Sequence, residues 1–127
     1  MNIKIIAVGK IKEKYLTAGI EEFCKRLTPF CKLEIVSINE EKMPEDPTPA
    51  TKQQVLEKET QRLMAIIPEN SYVILLDVIG KQLSSPELAA KIDALTLAGN
   101  SHLTFVIGGT FGYTDALRKR ADFSISF

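Results

Sequence analysis

Apolar residues along this chain fall into short continuous runs that alternate with segments of helical spacing. The continuous runs predict four buried strands, at Ile3–Val8, Leu33–Ile38, Tyr72–Asp77 and Leu103–Ile107. The helical spacing predicts intervening helices at about Lys14–Leu27, after Thr51, after Ser84 or Ser85, and from Thr114 or Asp115 to about Arg120. The alternating residues Phe123–Phe127 predict the start of one more strand. This order of elements predicts an α/β fold, with a mostly parallel sheet and helices on both faces.

Turn and capping residues set the expected limits of these elements. Residues 39–50 hold three prolines and four acidic residues, which predicts a long loop. A solvated linker is favoured there over a lid or a partner-contact loop. Thr51 and Gln54 have the spacing of a capping box, so the second helix is expected to begin at Thr51. Gly80–Lys81 predicts a turn directly after the third strand.

Composition narrows the class of protein further. The 127 residues, 45% hydrophobic and 25% charged, predict one globular domain over residues 1–127. Sixteen basic and sixteen acidic residues cancel, so any binding to nucleic acid must come from a local patch or a partner subunit. Cys24 and Cys31 belong to no metal-binding motif and are expected to be reduced thiols. With no segment resembling a membrane span or a signal peptide, we expect a cytoplasmic protein without a metal site.

The strongest candidate for a ligand site is the glycine run Gly108–Gly112, which directly follows the fourth strand. In open α/β sheets, ligands bind beyond the carboxyl ends of the strands. If the third and fourth strands are neighbours, the loop Asp77–Lys81 lies at the same edge. Apolar strand ends and bare backbone there suit a planar heterocycle. The G-G-x-x-G spacing disfavours a Rossmann dinucleotide site, and the run lacks the Gly-Lys-Ser/Thr of a P-loop.

Other candidate residues have structural and functional interpretations. His102 is the one histidine, and a local hydrogen bond at the strand edge is favoured over a catalytic role. The run Arg118–Arg120 either compensates the dipole of a helix C-terminus or contacts phosphate. Lys10, Lys12 and Lys14 either extend that positive edge or form a solvated face. The sequence offers no assignable general base, so the catalytic residues stay unknown.

Four segments of the chain closely resemble the RlmH family of SPOUT-class methyltransferases. They are Ile5–Lys12, Leu75–Ser85, and Phe105–Gly109 together with Arg120–Asp122, and the likeness extends from Met1 to Phe127. The resemblance implies an α/β fold with a C-terminal trefoil knot, S-adenosylmethionine held in that knot, and an obligate homodimer. It also implies methyl transfer to N3 of a pseudouridine in the large-subunit ribosomal RNA of assembled bacterial ribosomes.

The resemblance also carries cofactor-binding positions onto this chain. Leu76 and Gly108 match family residues that contact the cofactor, and Phe127 matches the first residue of the last cofactor loop. Gly109 is added because its bare backbone is accessible. Members of the family continue past the equivalent of Phe127, so the knot-forming segment is expected to be missing from these 127 residues and activity to depend on it.

Two other functions compete with the methyltransferase. One is a catalytically inactive α/β remnant that acts as a dimerisation or partner-binding module. The other, a nucleotide-binding oxidoreductase, is disfavoured by the glycine spacing.

Overall fold

A computed structural model describes residues 1–109 and 111–127, so Thr110 of the glycine run lies outside the described residues. The strands are β1 (Asn2–Val8), β2 (Lys32–Ile38), β3 (Tyr72–Gln82), β4 (His102–Ile107) and β5 (Phe123–Ser126). The helices are α1 (Lys14–Leu27), α2 (Pro49–Ile66), α3 (Ser85–Leu97) and α4 (Asp115–Arg120).

The five strands form one sheet in the order β2-β1-β4-β3-β5. Every neighbouring pair is parallel, so the predicted parallel α/β sheet is confirmed. β3 pairs with β4 from Tyr72 opposite Leu103 to Leu76 opposite Ile107. Because these two strands are neighbours and parallel, the residues that follow them share the carboxyl edge of the sheet, as the sequence predicts.

Helices cover both faces of the sheet, and the alternation along β3 divides the core between them. Val73 and Leu75 join a cluster that includes Leu63 of α2 and Leu117 of α4. Ile74 points to the opposite face, where the cluster includes residues of α3, β4 and β5: Leu95, Leu103 and Ile125. Successive side chains of a strand point to opposite faces, so a continuous apolar run fills both layers.

Helix α1 has the predicted bounds but leaves its apolar side uncovered. None of its residues is buried. Its exposed apolar side chains recur at helical spacing, at Leu16, Ile20, Phe23 and Leu27. Ile35 of β2, the edge strand beside α1, is exposed as well. We call these five residues the α1 apolar surface.

Helix α2 begins earlier than the sequence predicts, so the capping box at Thr51 and Gln54 is wrong. The N-cap is Thr48, whose hydroxyl oxygen accepts a hydrogen bond from the Thr51 N–H at 3.1 Å. Pro49 occupies the first turn, where its fixed φ is compatible with a helix and its missing N–H is not needed. The long acidic loop is therefore shorter than expected, because its last proline starts the helix.

The predicted turn at Gly80–Lys81 is also wrong, because β3 continues through it. Leu76 and Lys81 both pair with Ile125 of β5, so residues 77–80 bulge out of the ladder between them. A Cβ at Gly80 would lie 2.7 Å from backbone atoms of β5. Gly80 thus serves a close approach of two strands rather than a reversal of the chain.

Candidate functional site

Three of the four predicted cofactor-binding residues lie at the carboxyl edge of three adjacent strands. Leu76 is the last residue of β3 that pairs with β4. Gly108 directly follows β4, and Phe127 directly follows β5. Since β4, β3 and β5 are neighbours in a parallel sheet, the structure brings these residues to one edge. Gly109, the fourth, continues from Gly108 toward α2.

The side chain of Tyr113 links the ends of β3 and β4. Its hydroxyl oxygen accepts a hydrogen bond from the Gly108 N–H at 2.8 Å and donates to the Leu76 carbonyl oxygen. The Val106 carbonyl oxygen lies 3.3 Å from the same hydroxyl. A donor and an acceptor from neighbouring strands therefore converge on one point at the carboxyl edge.

The Tyr113 ring also fills the space beside Gly108. A Cβ at Gly108 would lie 2.5 Å from the nearest ring carbon, so the ring requires glycine at this position. Burial raises the pKa of the Tyr113 phenol, the Gly108 N–H opposes that shift, and the charge of Asp77 adds to it. The hydroxyl thus keeps the proton that it donates to Leu76.

A buried carboxylate, Glu59 of α2, borders the other glycine. A Cβ at Gly109 would lie 3.4 and 3.5 Å from the two Glu59 carboxylate oxygens. Glu59 is 6% exposed, and its Oε2 accepts a hydrogen bond from the Glu41 N–H at 3.3 Å. Burial raises the pKa of Glu59 above its ordinary value, while that hydrogen bond opposes the shift.

Sequence reasoning missed both Glu59 and Tyr113. Glu59 follows Val55 and precedes Leu63 by four residues each, a spacing that places all three on one face of α2. That spacing is the signal that identifies Glu59 as a buried acid. Tyr113 carries no such signal, because its partners Leu76 and Gly108 come together only when β3 pairs with β4.

The basic run at the end of α4 is largely engaged within the chain. Arg118 Nε donates to Asp77 Oδ2 at 3.0 Å, and the Asp77 side chain is 4% exposed. Arg120 Nη2 donates to carbonyl oxygens that precede β3, those of Pro68, Glu69 and Ser71. The two arginines therefore neutralise a buried carboxylate and tie α4 to the start of β3, which favours structural roles over phosphate binding.

His102 lies away from the glycines, at the start of β4. Its backbone carbonyl accepts a hydrogen bond from the Ser71 hydroxyl at 3.4 Å. The carboxyl edge, with Gly108, is at the other end of the strand. This position agrees with a local structural role for the histidine.

The described part of the chain also bears on metal binding and on membrane-spanning helices. Within residues 1–109 and 111–127, no three His, Cys, Asp or Glu side chains are grouped to hold a metal ion. Cys24 and Cys31 are half-buried free thiols. Over the same residues, no helix has both the length and the apolar character needed to cross a membrane.

Comparison with known proteins identifies the family of this chain. Residues 1–127 match the family described as "Predicted SPOUT methyltransferase". The chain belongs to this family. A relative from Latilactobacillus sakei, named ribosomal RNA large subunit methyltransferase H, is 49% identical over 127 residues. Relatives of the same name from Alkaliphilus oremlandii and Leuconostoc mesenteroides are 50% and 46% identical.

These alignments cover all of this SPOUT methyltransferase and 80% of each relative. The resemblance inferred from the sequence motifs is thereby confirmed, and the family assignment favours an enzyme over an inactive remnant. The trefoil knot stays a prediction, as do the individual cofactor contacts.

Proposed function

We propose that this chain forms one SPOUT domain over residues 1–127 and acts in S-adenosylmethionine-dependent methylation of a pseudouridine in large-subunit ribosomal RNA. The substrate is the RNA of the assembled ribosome, and the protein works as a cytoplasmic homodimer. The observation that carries the proposal is the convergence of the Leu76 carbonyl and the Gly108 N–H at the carboxyl edge of a SPOUT methyltransferase sheet.

The groups at this edge fit the heterocycle of the proposed cofactor. The Tyr113 hydroxyl acts as a stand-in, since it donates to Leu76 and accepts from Gly108 at the same time. The adenine edge likewise offers an amino donor beside a ring-nitrogen acceptor. In the proposed complex, the Leu76 carbonyl accepts from the amino group and the Gly108 N–H donates to the ring nitrogen. Gly109 and Phe127 border the same ligand.

S-adenosylmethionine would supply an electrophilic methyl group, so the protein mainly has to bind and align the two reactants. Leu76 and Gly108 fix a heterocycle from two strand ends, and the paired strands hold those ends in place. The ion pair between Arg118 and Asp77 balances the buried carboxylate directly after Leu76. These are positioning roles, and the proton acceptor for the target imide is left unassigned.

Charge and exposed apolar surface support the proposed partners. Lys10, Lys12 and Lys14 are exposed after the carboxyl end of β1, at the edge that holds Gly108. With no net charge, attraction to RNA phosphates would come from such a local group. The α1 apolar surface supports the homodimer, because apolar stripes of this kind on soluble proteins commonly mark interfaces.

Calorimetry with S-adenosylmethionine tests the cofactor assignment. We would titrate this chain and an extended form, in which the residues of the L. sakei relative that follow the aligned region are appended after Phe127. Binding by both forms supports the proposal, and binding by the extended form alone confines the activity to the longer protein. No heat from either form, with both folded by circular dichroism, contradicts the cofactor assignment.

Methyl transfer is measured separately on intact ribosomes with a methyl-labelled cofactor. Label in a pseudouridine of the large-subunit RNA is the expected result. Label in another nucleotide would contradict the substrate assignment without affecting the cofactor.

A further inference from the structure

The two backbone groups best placed to hold a heterocycle are already hydrogen-bonded to Tyr113. The Gly108 N–H has one hydrogen and donates it to the Tyr113 hydroxyl at 2.8 Å. The Leu76 carbonyl oxygen accepts from the same hydroxyl. A ligand that uses the Gly108 N–H must therefore first displace Tyr113.

The ring of Tyr113 adds a steric obstacle to this competition for hydrogen bonds. Its carbons lie 2.5 to 3.1 Å from the place where a Gly108 Cβ would be. The ring therefore occupies the space that glycine leaves open beside the end of β4. A planar ligand stacked against Gly108 and the Tyr113 ring in its present position would overlap.

The chain around Tyr113 is built so that this residue can move while α4 stays fixed. Gly112 precedes it with φ +84°, in the left-handed region that favours glycine. Thr114 follows it, caps α4 by accepting the Leu117 N–H, and bonds the Thr60 hydroxyl of α2 at 2.8 Å. A glycine turn on one side and an anchored cap on the other confine a displacement to Tyr113 and the turn before it.

We propose that Tyr113 is an autoinhibitory contact that competes with the heterocycle of the cofactor for the Leu76 carbonyl and the Gly108 N–H. The ligand class rests on the proposed function, whereas the occupied state is a property of the chain alone. When a competing contact holds most of the population closed, the apparent dissociation constant rises by the inverse of the open fraction. Removing the hydroxyl raises that open fraction and tightens binding.

The test compares S-adenosylmethionine binding by calorimetry in the wild type, Tyr113→Phe and Tyr113→Leu, each in the chain and in the extended form. Phe keeps the ring and loses both hydrogen bonds, and Leu also removes most of the ring. We expect Tyr113→Phe to bind about two- to ten-fold more tightly, the range that one net hydrogen bond gives. Tyr72→Phe is the control, because Tyr72 begins β3 at the opposite edge.

A second measurement follows the tyrosine itself rather than the affinity. With 3-fluorotyrosine at the three tyrosine positions, the Tyr113 signal, assigned from Tyr113→Phe, is expected to shift to a solvent-exposed value on addition of S-adenosylmethionine. In the absence of cofactor, hydrogen exchange at the Gly108 amide is expected to be faster in Tyr113→Phe than in the wild type.

The outcomes separate this proposal from the proposed function. Binding by the wild type with equal or weaker binding by both Tyr113 variants overturns the autoinhibitory contact and leaves the cofactor assignment standing. A Tyr113 signal that does not respond to bound cofactor overturns it as well. Failure of every variant to bind, in both forms, overturns the cofactor assignment and the autoinhibitory contact together.

Discussion

Three glycines at the carboxyl edge differ in what an added Cβ would contact. At Gly80 the nearest atoms are β5 backbone at 2.7 Å, at Gly108 they belong to the Tyr113 ring at 2.5 Å, and at Gly109 the nearest is Val8 Cγ1 at 3.2 Å. Only the first of these neighbours is backbone, which cannot rotate away. The three positions therefore differ in how strongly they resist substitution.

Gly80→Ala is expected to lower the free energy of unfolding by about 2–3 kcal/mol, at the upper part of the range for overpacking, because the new Cβ meets β5 backbone at 2.7 Å. Gly19→Ala is the matched control. Gly19 lies within α1. Apart from its chain neighbours and the backbone of its own helix, no described atom lies within 4 Å of a Cβ added there. That variant should gain about 0.5–1 kcal/mol from helix propensity. Urea denaturation measures both, and equal effects would contradict the close approach of β3 and β5.

Glu59→Gln is expected to stabilise the protein more at neutral pH than in mild acid. Burial raises the pKa of Glu59 above its ordinary value of 4.5, so the folded state disfavours the charged form. The free-energy cost of burying the charged carboxylate is present above the raised pKa. It is relieved as the pH falls through that pKa toward 4.5. Gln also retains an oxygen that can accept the Glu41 N–H.

Urea denaturation of both proteins between pH 7.5 and pH 4.5, a range chosen to span the shift, gives the difference in unfolding free energy. Glu57→Gln, at an exposed position of the same helix, controls for the change in net charge. A Glu59→Gln difference that is constant with pH would contradict a buried, charge-disfavouring site.

At this scale the sequence predicts strand ends better than side-chain partners. The glycine run after β4 marks the carboxyl edge of a parallel sheet, and the family resemblance adds Leu76 and Gly108 as expected cofactor contacts at that edge. Tyr113 and Glu59 are missed because their contacts join segments that lie 37 and 18 residues apart along the chain. Hydrophobic periodicity indicates which face of a helix or strand a residue lies on, but it does not indicate which residues contact it in the fold.

Among the helices and strands, the sequence predicts the presence of each element better than its limits. Helix α1 has the predicted bounds, Lys14–Leu27, although Thr28, the residue before Pro29, keeps helical φ and ψ. By contrast, β3 passes its predicted turn because Lys81 pairs with β5, a strand more than 40 residues later. No local signal at Gly80 distinguishes a turn from a close approach of two strands.

Helix α3 allows a direct test of a local signal, because the sequence leaves Ser84 and Ser85 as alternative caps. In the structure Ser84 accepts the Glu87 N–H at 3.2 Å, and the Glu87 carboxylate accepts the Ser84 N–H at 3.0 Å. Ser84→Ala should therefore cost about 1 kcal/mol of unfolding free energy. Ser85→Ala, in the first turn, should instead gain about a few tenths of a kcal/mol, because Ala has the higher helix propensity. Thermal and urea denaturation compare the pair, and a larger loss for Ser85→Ala would reject the assigned cap.

For the molecule as a whole, the sheet order leaves its two edges in different environments. β5 pairs with β3 and contributes Ile125 to the core, so this edge is tied to the candidate site. β2 is the other edge, and the helix beside it, α1, buries none of its residues. The α1 apolar surface is therefore left without a cover in the described chain, away from the Leu76 and Gly108 pair.

That surface predicts self-association of the chain. Phe23 is 63% exposed at the centre of the α1 apolar surface, so burial against a second copy removes much of its area from water. Sedimentation should give a species of twice the 14.1 kDa chain mass that dissociates on dilution, and Phe23→Glu should shift it to monomer.

Leu97→Glu is the control, because Leu97 is 89% exposed at the end of α3, outside this surface. A dimer that survives Phe23→Glu but not Leu97→Glu would move the interface to the other end of the sheet. A wild type that stays monomeric would instead leave the α1 apolar surface to a different protein.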